Sequence, residues 1–241
     1  MIKLENNGIF IVFDGVDGAG KTTQVNLLAK ALEDAGESVI ISKEPTDGEW
    51  GRKIRATAMT GRLPIDEELE AFVEDRKEHI NNKIKPALAE GKVVILDRYL
   101  YSTIAYQGVR SECVDELETK VKETALQPDI AFIIDIDPRI AAIRITDRDG
   151  GPDEFEKLDD QIKIRSVFDA LCKRDETLTI VDGSKSIKDV NKDVVSTLID
   201  GVLKNKRCFK NYGCDEPVYC GYRMSDMCDW WSIRTKILEG S

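Results

Sequence analysis

Five short apolar runs are separated along the chain by longer amphipathic stretches. The runs lie at 9–13, 38–42, 93–97, 130–137 and 178–183. A short continuous apolar run predicts a strand buried on both faces of a sheet. The stretches between them carry helical patterns, near 21–32, 50–59, 66–89, 101–108, 139–144, 159–173 and 190–204. Because strands and helices alternate, we predict an α/β fold, a doubly wound parallel five-stranded sheet with helices on both faces.

The first apolar run leads directly into a glycine-rich turn. It reads Gly15-Val16-Asp17-Gly18-Ala19-Gly20-Lys21-Thr22, continues with Thr23, and fits G-x-x-x-x-G-K-[ST] between a strand and a helix. Glycines let successive backbone N–H groups point at anionic oxygens, and the following helix adds its positive dipole end. Lys21 would reach the outer phosphates of a nucleoside triphosphate, and Thr22 would ligate Mg²⁺. The pattern predicts the P-loop NTPase fold rather than an accidental glycine turn.

Charged residues stand where the second and third runs end. The second run delivers Glu44 and Pro45 to a loop, and the third ends in Asp97 and Arg98. Open α/β sheets bind ligands at the carboxyl ends of their strands. Asp97 resembles the acidic element that helps to hold Mg²⁺ in phosphate-loop enzymes, and Arg98 is suited to clamp a phosphate. The alternative interpretation is a salt bridge between Asp97 and Arg98.

One predicted helix, which Asp66 is placed to cap, carries Phe72, Arg76 and His79 on one face. The phenyl ring would stack on a flat polar base, and the guanidinium would donate to an exocyclic oxygen. The alternative, favoured on pattern alone, is a core phenylalanine beside a solvated, salt-bridged arginine. His79 is the only histidine, and we expect it to orient a neighbour rather than to catalyse.

The segment from Thr146 to Glu156 is polar and contains the sequence Asp-Gly-Gly-Pro. We expect it to lie outside the core. It is either a lid, around 144–157, that carries Arg148 over the phosphates, or an ordinary surface loop.

Composition excludes several classes of protein. The chain has 241 residues and a formal net charge of -10, which opposes broad binding to nucleic acid. It shows neither a signal-peptide pattern nor an apolar run as long as a membrane span. We therefore expect no nucleic-acid or membrane partner and a cytoplasmic location.

The segment 205–241 differs in composition from residues 1–204. It contains Cys208, Cys214, Cys220 and Cys228, without the C-x-x-C spacing typical of strong zinc sites. We favour a small aromatic-rich extension with reduced thiols over a zinc site. Its role is not predicted.

Several motifs together resemble the thymidylate kinases. They are the phosphate loop, Glu44-Pro45, Phe72 and Arg76 with His79, the run from Asp97-Arg98-Tyr99 to Ala105-Tyr106-Gln107-Gly108, Pro128-Asp129, and Asp135-Ile136-Asp137-Pro138. The resemblance covers roughly residues 8–204. It implies transfer of the γ-phosphoryl group of ATP to thymidine 5′-monophosphate (dTMP), and a homodimer.

The resemblance also implies roles at the acceptor nucleotide. Asp17 would receive the 3′-hydroxyl of the deoxyribose. Phe72 would stack on thymine, and Arg76 would donate to its O4 oxygen. Tyr106 would crowd the 2′ carbon and so disfavour ribonucleotides, and Gln107 would face the base or sugar.

Other implied roles concern the phosphates and the donor. Arg98 resembles the clamp on the acceptor phosphate, and Arg148 lies where the family's lid carries a basic residue. Gly183 and Ser184 match the loop beside the donor adenine. The predicted catalytic set then consists of Lys21, Arg98 and Arg148.

Three positions depart from the family pattern. Lys43 stands where many members have arginine, Glu154 replaces a lid arginine, and Gly18 occupies a loop position that is elsewhere an arginine. Neutralisation of the donor phosphates would then depend on Arg148, with Arg144 in reserve.

Two rival functions remain open from the sequence. One is a kinase for another nucleoside monophosphate or for a deoxynucleoside. The other is a nucleotide-dependent switch or ATPase with a protein partner, which would need no second nucleoside pocket.

Overall fold

The computed structural model describes residues 8–149 and 155–203, without the side chains of residues 58–60, 147–149, 155–157 and 203. One sheet of five parallel strands runs through this part of the chain, in the order β2-β3-β1-β4-β5. The strands are β1 (Ile9–Asp14), β2 (Val39–Lys43), β3 (Val93–Asp97), β4 (Ile130–Asp135) and β5 (Leu178–Asp182). The predicted α/β fold is confirmed.

The helices cover both faces of the sheet. They are α1 (Lys21–Asp34), α2 (Glu49–Thr60), α3 (Ile65–His79), α4 (Lys85–Ala89), α5 (Leu100–Ser111), α6 (Val114–Thr124), α7 (Pro138–Asp149), α8 (Phe155–Cys172) and α9 (Ile187–Leu198). All six residues of β1 are buried. Because successive side chains of a strand point to opposite faces, burial throughout β1 requires cover on both sides. Among the described residues, no helix is long and apolar enough to cross a membrane.

Some helix boundaries differ from the prediction. Pro64 precedes α3 and Asp66 lies within its first turn, so Asp66 does not cap the helix. The long helix continues through one π-helical turn, Ile80–Ile84, into α4. The sequence pattern did not single out α6, whose buried face contains only Leu117 and Val121.

The register of the sheet brings three strand ends together. Phe13 of β1 pairs with Asp97 of β3, and Asp97 also pairs with Lys43 of β2. The loops after β1, β2 and β3 therefore begin at the same edge, where the chemical groups described below converge.

Candidate active site

The glycine-rich loop after β1 has the backbone shape that its glycines permit. Gly15, Gly18 and Gly20 have φ values of 138°, 76° and 97°. A Cβ atom at Gly15 would lie 2.6 Å from the carbonyl oxygen of Ile134. Helix α1 begins directly afterwards, at Lys21. The N-terminal N–H groups of α1 and its positive dipole end therefore face the end of the loop, where an anion would bind.

Lys21 is folded back onto this loop. Its Nζ donates to the carbonyl oxygens of Gly15 at 3.1 Å and Val16 at 2.8 Å, and the residue is only 5% exposed. Burial, together with the charge of Arg98, lowers the pKa of Lys21 to about 7. An incoming phosphate would reverse this effect by stabilising the ammonium form.

Thr22 and Asp97 are in contact across the loop. The Thr22 hydroxyl donates a hydrogen bond to the Asp97 carboxylate. Mg²⁺ commonly takes one or two protein oxygens and completes its shell with water and substrate phosphates. The described residues contain no cluster of three or more acidic, histidine or cysteine ligands. This pair of oxygens beside a phosphate loop nevertheless fits a magnesium ion that is held mainly by a bound nucleotide.

Arg98 forms its ion pair with Asp17, not with Asp97 as the alternative interpretation supposed. Its guanidinium donates to Asp17 and, at 3.1 Å, to Ser102. Its own φ is 71°, in the left-handed region that is uncommon for residues other than glycine. The turn after β3 thus aims the guanidinium back across the phosphate loop.

Asp17 is held from two further directions. The Tyr106 hydroxyl donates to it at 3.1 Å, and the Arg98 guanidinium lies 5.2 Å from the centre of the Tyr106 ring. Burial opposes ionisation of Asp17, but the charges of Arg98 and Lys21 hold its pKa below the ordinary value. Burial raises the pKa of Tyr106 to about 12. Asp17 is therefore an anion and Tyr106 a neutral donor at physiological pH.

Asp14, which sequence reasoning missed, lies beneath this cluster. It is fully buried at the end of β1, accepts a hydrogen bond from Ser102, and has one oxygen, Oδ2, without a partner. Burial raises its pKa to about 6 despite the nearby Arg98 and Lys21. A carboxylate at the last position of an otherwise apolar strand was the available signal.

The burial of Arg76 and Phe72 is the opposite of what the alternative interpretation of α3 supposed. Arg76 is the fully buried member of the pair, and Phe72 is only half-buried. The Arg76 guanidinium pairs with Glu44, donates to Thr103 at 2.8 Å, and lies 5.0 Å from the ring centre of Tyr99. The idea of a core phenylalanine beside a solvated arginine is therefore wrong, because helical spacing shows which residues share a face but not how deeply each is buried.

His79 continues this network away from the cavity. Its Nδ1 lies 3.1 Å from Glu44 Oε1, and its Nε2 lies 2.9 Å from the Ser42 hydroxyl. Asp75, also missed from the sequence, accepts hydrogen bonds from the backbone and hydroxyl of Thr46. Helix α3 therefore holds the loop after β2 in two places.

A cavity of about 620 Å³ opens above the phosphate loop. Of the residues predicted for the site, those that line it are Asp17, Gly18, Gly20, Lys21, Thr22, Thr23, Glu44, Pro45, Asp97 and Arg98. Phe72, Arg76, Tyr106 and Gln107 are not part of its lining, although Tyr106 contacts Asp17 and Arg76 contacts Glu44. Gln107 is buried.

Two lining residues carry no recognisable motif. Arg55 of α2 donates to the carbonyl oxygen of Pro45 at 2.8 Å. Gln161 of α8 lines the cavity, its amide lowers the pKa of Asp17 by hydrogen bonding, and its Oε1 is buried without a partner. Each is a single polar residue on a helix and belongs to no motif, so only the folded arrangement identifies it.

The segment expected to form a lid is helical at both of its described ends. Helix α7 includes Thr146 and continues to Asp149, and α8 begins at Phe155, so both helices extend beyond the predicted ranges 139–144 and 159–173. Polarity does not distinguish an exposed helical turn from a loop. The backbone of Arg148 lies in α7, but its side chain lies outside the described residues, as does all of Glu154. Arg144 lines the cavity.

The loop after β5 approaches the phosphate loop. A Cβ atom added to Gly183 would lie 3.4 Å from the carbonyl oxygen of Ala19, and Arg144 donates to the Gly183 carbonyl oxygen at 3.1 Å. Ser184 donates to Asp182 through its N–H and its hydroxyl. The predicted extension 205–241, which contains the four cysteines, lies outside the described residues.

Comparison with known proteins gives a consistent result. The family model described as "Thymidylate kinase" matches residues 13–194. A thymidylate kinase of Xanthomonas oryzae pv. oryzae is 45% identical over 170 residues, covering 70% of this chain and 74% of that protein. A probable thymidylate kinase of Pyrococcus abyssi is 40% identical over 196 residues, covering 78% and 95% respectively.

Proposed function

The chain belongs to the thymidylate kinase family, and we propose that it uses the described cavity to transfer the γ-phosphoryl group of ATP to dTMP, giving the diphosphate. It is an enzyme of nucleotide biosynthesis, with ATP as donor and dTMP as acceptor. The observation that carries the residue assignments is the convergence of Lys21, Arg98 and Asp17 on one cavity above the phosphate loop.

The reaction needs charge neutralisation more than proton transfer. The acceptor is a phosphate monoester whose second pKa is about 6, so it is largely dianionic at neutral pH. It attacks without a general base, but two polyanions must approach each other. Positioning and electrostatic stabilisation therefore supply the catalysis. In this account Asp17 and Asp97 position and ligate, and neither abstracts a proton.

We assign the charges as follows. Lys21 binds the outer phosphates of ATP, and its amine is charged once they are bound. Arg98 turns from Asp17 toward the phosphate of the acceptor. Arg148, whose backbone lies in α7, would complete the neutralisation. Thr22 and Asp97 would hold Mg²⁺, which shields the phosphates of the donor.

The acceptor base would lie between α3 and the loop after β2. Arg76 supports this placement because its Nη1 is buried and has no hydrogen-bond partner. An unpaired buried donor is costly, and a carbonyl oxygen of a base would satisfy it. Phe72 is exposed enough to stack on that base, and Pro45 lines the cavity.

The sugar would lie against Asp17 and Tyr106. Asp17 is an acceptor-only anion suited to a 3′-hydroxyl donor, and the Tyr106 ring closes the space beside it. Gln107 is assigned to the same side of the acceptor. For the donor, Gly183 and Ser184 are placed beside the adenine, because Gly183 lies next to Ala19 of the phosphate loop.

A direct assay separates this function from a nucleotide-dependent switch or ATPase. The purified chain is incubated with ATP and Mg²⁺, with and without dTMP, and the products are separated by chromatography. We expect formation of the thymidine diphosphate in a one-to-one ratio with ADP, and negligible ADP without an acceptor. Hydrolysis that dTMP does not stimulate would favour the switch. A homodimer is proposed from the family resemblance, and light scattering tests it.

A further inference from the structure

A chain of hydrogen bonds runs behind the proposed base pocket. Lys83, in the π-helical turn after α3, donates to the Ser42 hydroxyl at 2.9 Å. Ser42 contacts His79 Nε2 at 2.9 Å, and His79 Nδ1 lies 3.1 Å from Glu44 Oε1. The other oxygen of Glu44, Oε2, faces Arg76. The chain thus connects an exposed lysine to a fully buried guanidinium.

The two oxygens of Glu44 have separate partners. Oε2 accepts from both Nε and Nη2 of Arg76, at 3.0 and 2.9 Å, whereas Oε1 faces His79. A carboxylate only accepts hydrogen bonds, so His79 carries a proton on Nδ1 and donates it. Without His79, Glu44 Oε1 would be a buried charged oxygen lacking this donor.

That loss would change the geometry of Arg76. A carboxylate and a guanidinium pair best side by side, with each oxygen accepting one N–H. In the present arrangement both N–H groups meet one oxygen, because His79 holds the other. If His79 were removed, Glu44 could rotate into the side-by-side pairing and turn the guanidinium with it. The unpartnered Nη1 of Arg76 would then move.

We propose that His79 is a positioning residue for recognition of the acceptor base. Through Glu44 it fixes where Arg76 presents its free N–H, and so it sets the preference for a pyrimidine with oxygen rather than an amino group at C4. His79 does not contact the substrate. This inference rests on the proposed function.

Two substitutions of His79 separate its hydrogen bond to Glu44 from its hydrogen bond to Ser42. An asparagine amide nitrogen sits where Nδ1 was, so His79→Asn retains the donor to Glu44. A glutamine amide sits near Nε2, so His79→Gln retains the contact with Ser42 and loses that donor. The control is Tyr101→Phe on α5. It removes a buried hydroxyl that forms a 3.0 Å hydrogen bond with the Thr177 hydroxyl.

The measurements are kcat and KM for dTMP and for dCMP with ATP, together with the melting temperature. We expect the preference for dTMP over dCMP, as the ratio of kcat/KM values, to fall about tenfold in His79→Gln and less than about threefold in His79→Asn. The KM for ATP should not change in either. Tyr101→Phe should lower the melting temperature and leave the preference intact.

Other outcomes overturn the inference. If His79→Gln melts earlier but keeps the wild-type preference, or if both His79 variants lose it equally, His79 is only structural. An inactive wild type would overturn the proposed function as well, whereas an active wild type with an unaffected His79→Gln preference overturns this inference alone.

Discussion

The Arg98 guanidinium donates a hydrogen bond to the Asp17 carboxylate across the phosphate loop. In the proposed mechanism these two residues serve the phosphate and the sugar of one acceptor nucleotide. Their pairing keeps a cation and an anion compensated in a partly buried cavity until the substrate arrives. Binding the acceptor then exchanges this pair for contacts with the ligand.

Arg98→Ala should impair both turnover and acceptor affinity. It removes a charged donor to the acceptor phosphate and leaves Asp17 without its ion-pair partner. We expect kcat to fall and the KM for dTMP to rise, each by about tenfold or more, with a much smaller change in the KM for ATP. Steady-state kinetics measure this, with Lys30→Ala, which breaks an exposed ion pair with Asp34, as the control. Near-normal kinetics in Arg98→Ala would defeat the assignment.

Binding of ATP should be coupled to proton uptake by Lys21. Its pKa of about 7 leaves the amine about nine-tenths neutral at pH 8, and bound phosphates raise that pKa. We expect uptake of nearly one proton per ATP at pH 8, measured by titration calorimetry in buffers of different ionisation enthalpy. Lys21→Arg, which is charged in both states, should show almost none. Equal uptake in the two proteins would rule out Lys21 as the source.

The requirement for magnesium should depend on Asp97. Asp97→Asn keeps the shape of the side chain but removes the charge that helps Thr22 to hold the ion. We expect the Mg²⁺ concentration for half-maximal activity to rise about tenfold, with activity partly recovered at high Mg²⁺. Asp193→Asn, at an exposed pair with Lys185, is the control. An unchanged magnesium dependence in Asp97→Asn would mean that the ion is held elsewhere.

Titration of Asp14 should make the free energy of unfolding depend on pH. Its pKa of about 6 exceeds the unfolded value of 3.8, so the folded state binds more protons between those values. The contribution of Asp14 to stability is therefore present at low pH and is lost as the pH rises through 6. Relative to wild type, Asp14→Asn should gain about 2 kcal/mol in unfolding free energy between pH 4.5 and pH 8, measured with urea. A difference independent of pH would contradict the raised pKa.

The sheet could be predicted because its strands are buried on both faces. A short continuous apolar run such as the one in β1, set between helical stretches, has few structural interpretations other than a buried strand. Helix α6 was not predicted because its buried face consists of only two residues. Likewise, the polar end of α7 suggested a loop, since exposed helical turns and loops share the same composition.

The candidate site could be predicted only where a motif fixes it. The phosphate loop carries its glycines, lysine and threonine in one short stretch. The helical pattern alone favoured a solvated Arg76, but Glu44 and Thr103 come from distant parts of the chain and compensate its burial. Gln161 reaches Asp17 from α8 across 144 positions of sequence, and no local pattern announces such a contact.

The most direct test of the account compares acceptors under identical conditions. The measurement is kcat/KM for ATP-dependent phosphorylation of dTMP, dUMP, dCMP, dGMP and thymidine by the complete chain. We predict that dTMP is the best acceptor, that dCMP and dGMP are poor, and that thymidine, which lacks the phosphate that Arg98 would clamp, is inactive. Equal rates with the purine and the pyrimidines, or a preference for thymidine, would contradict it.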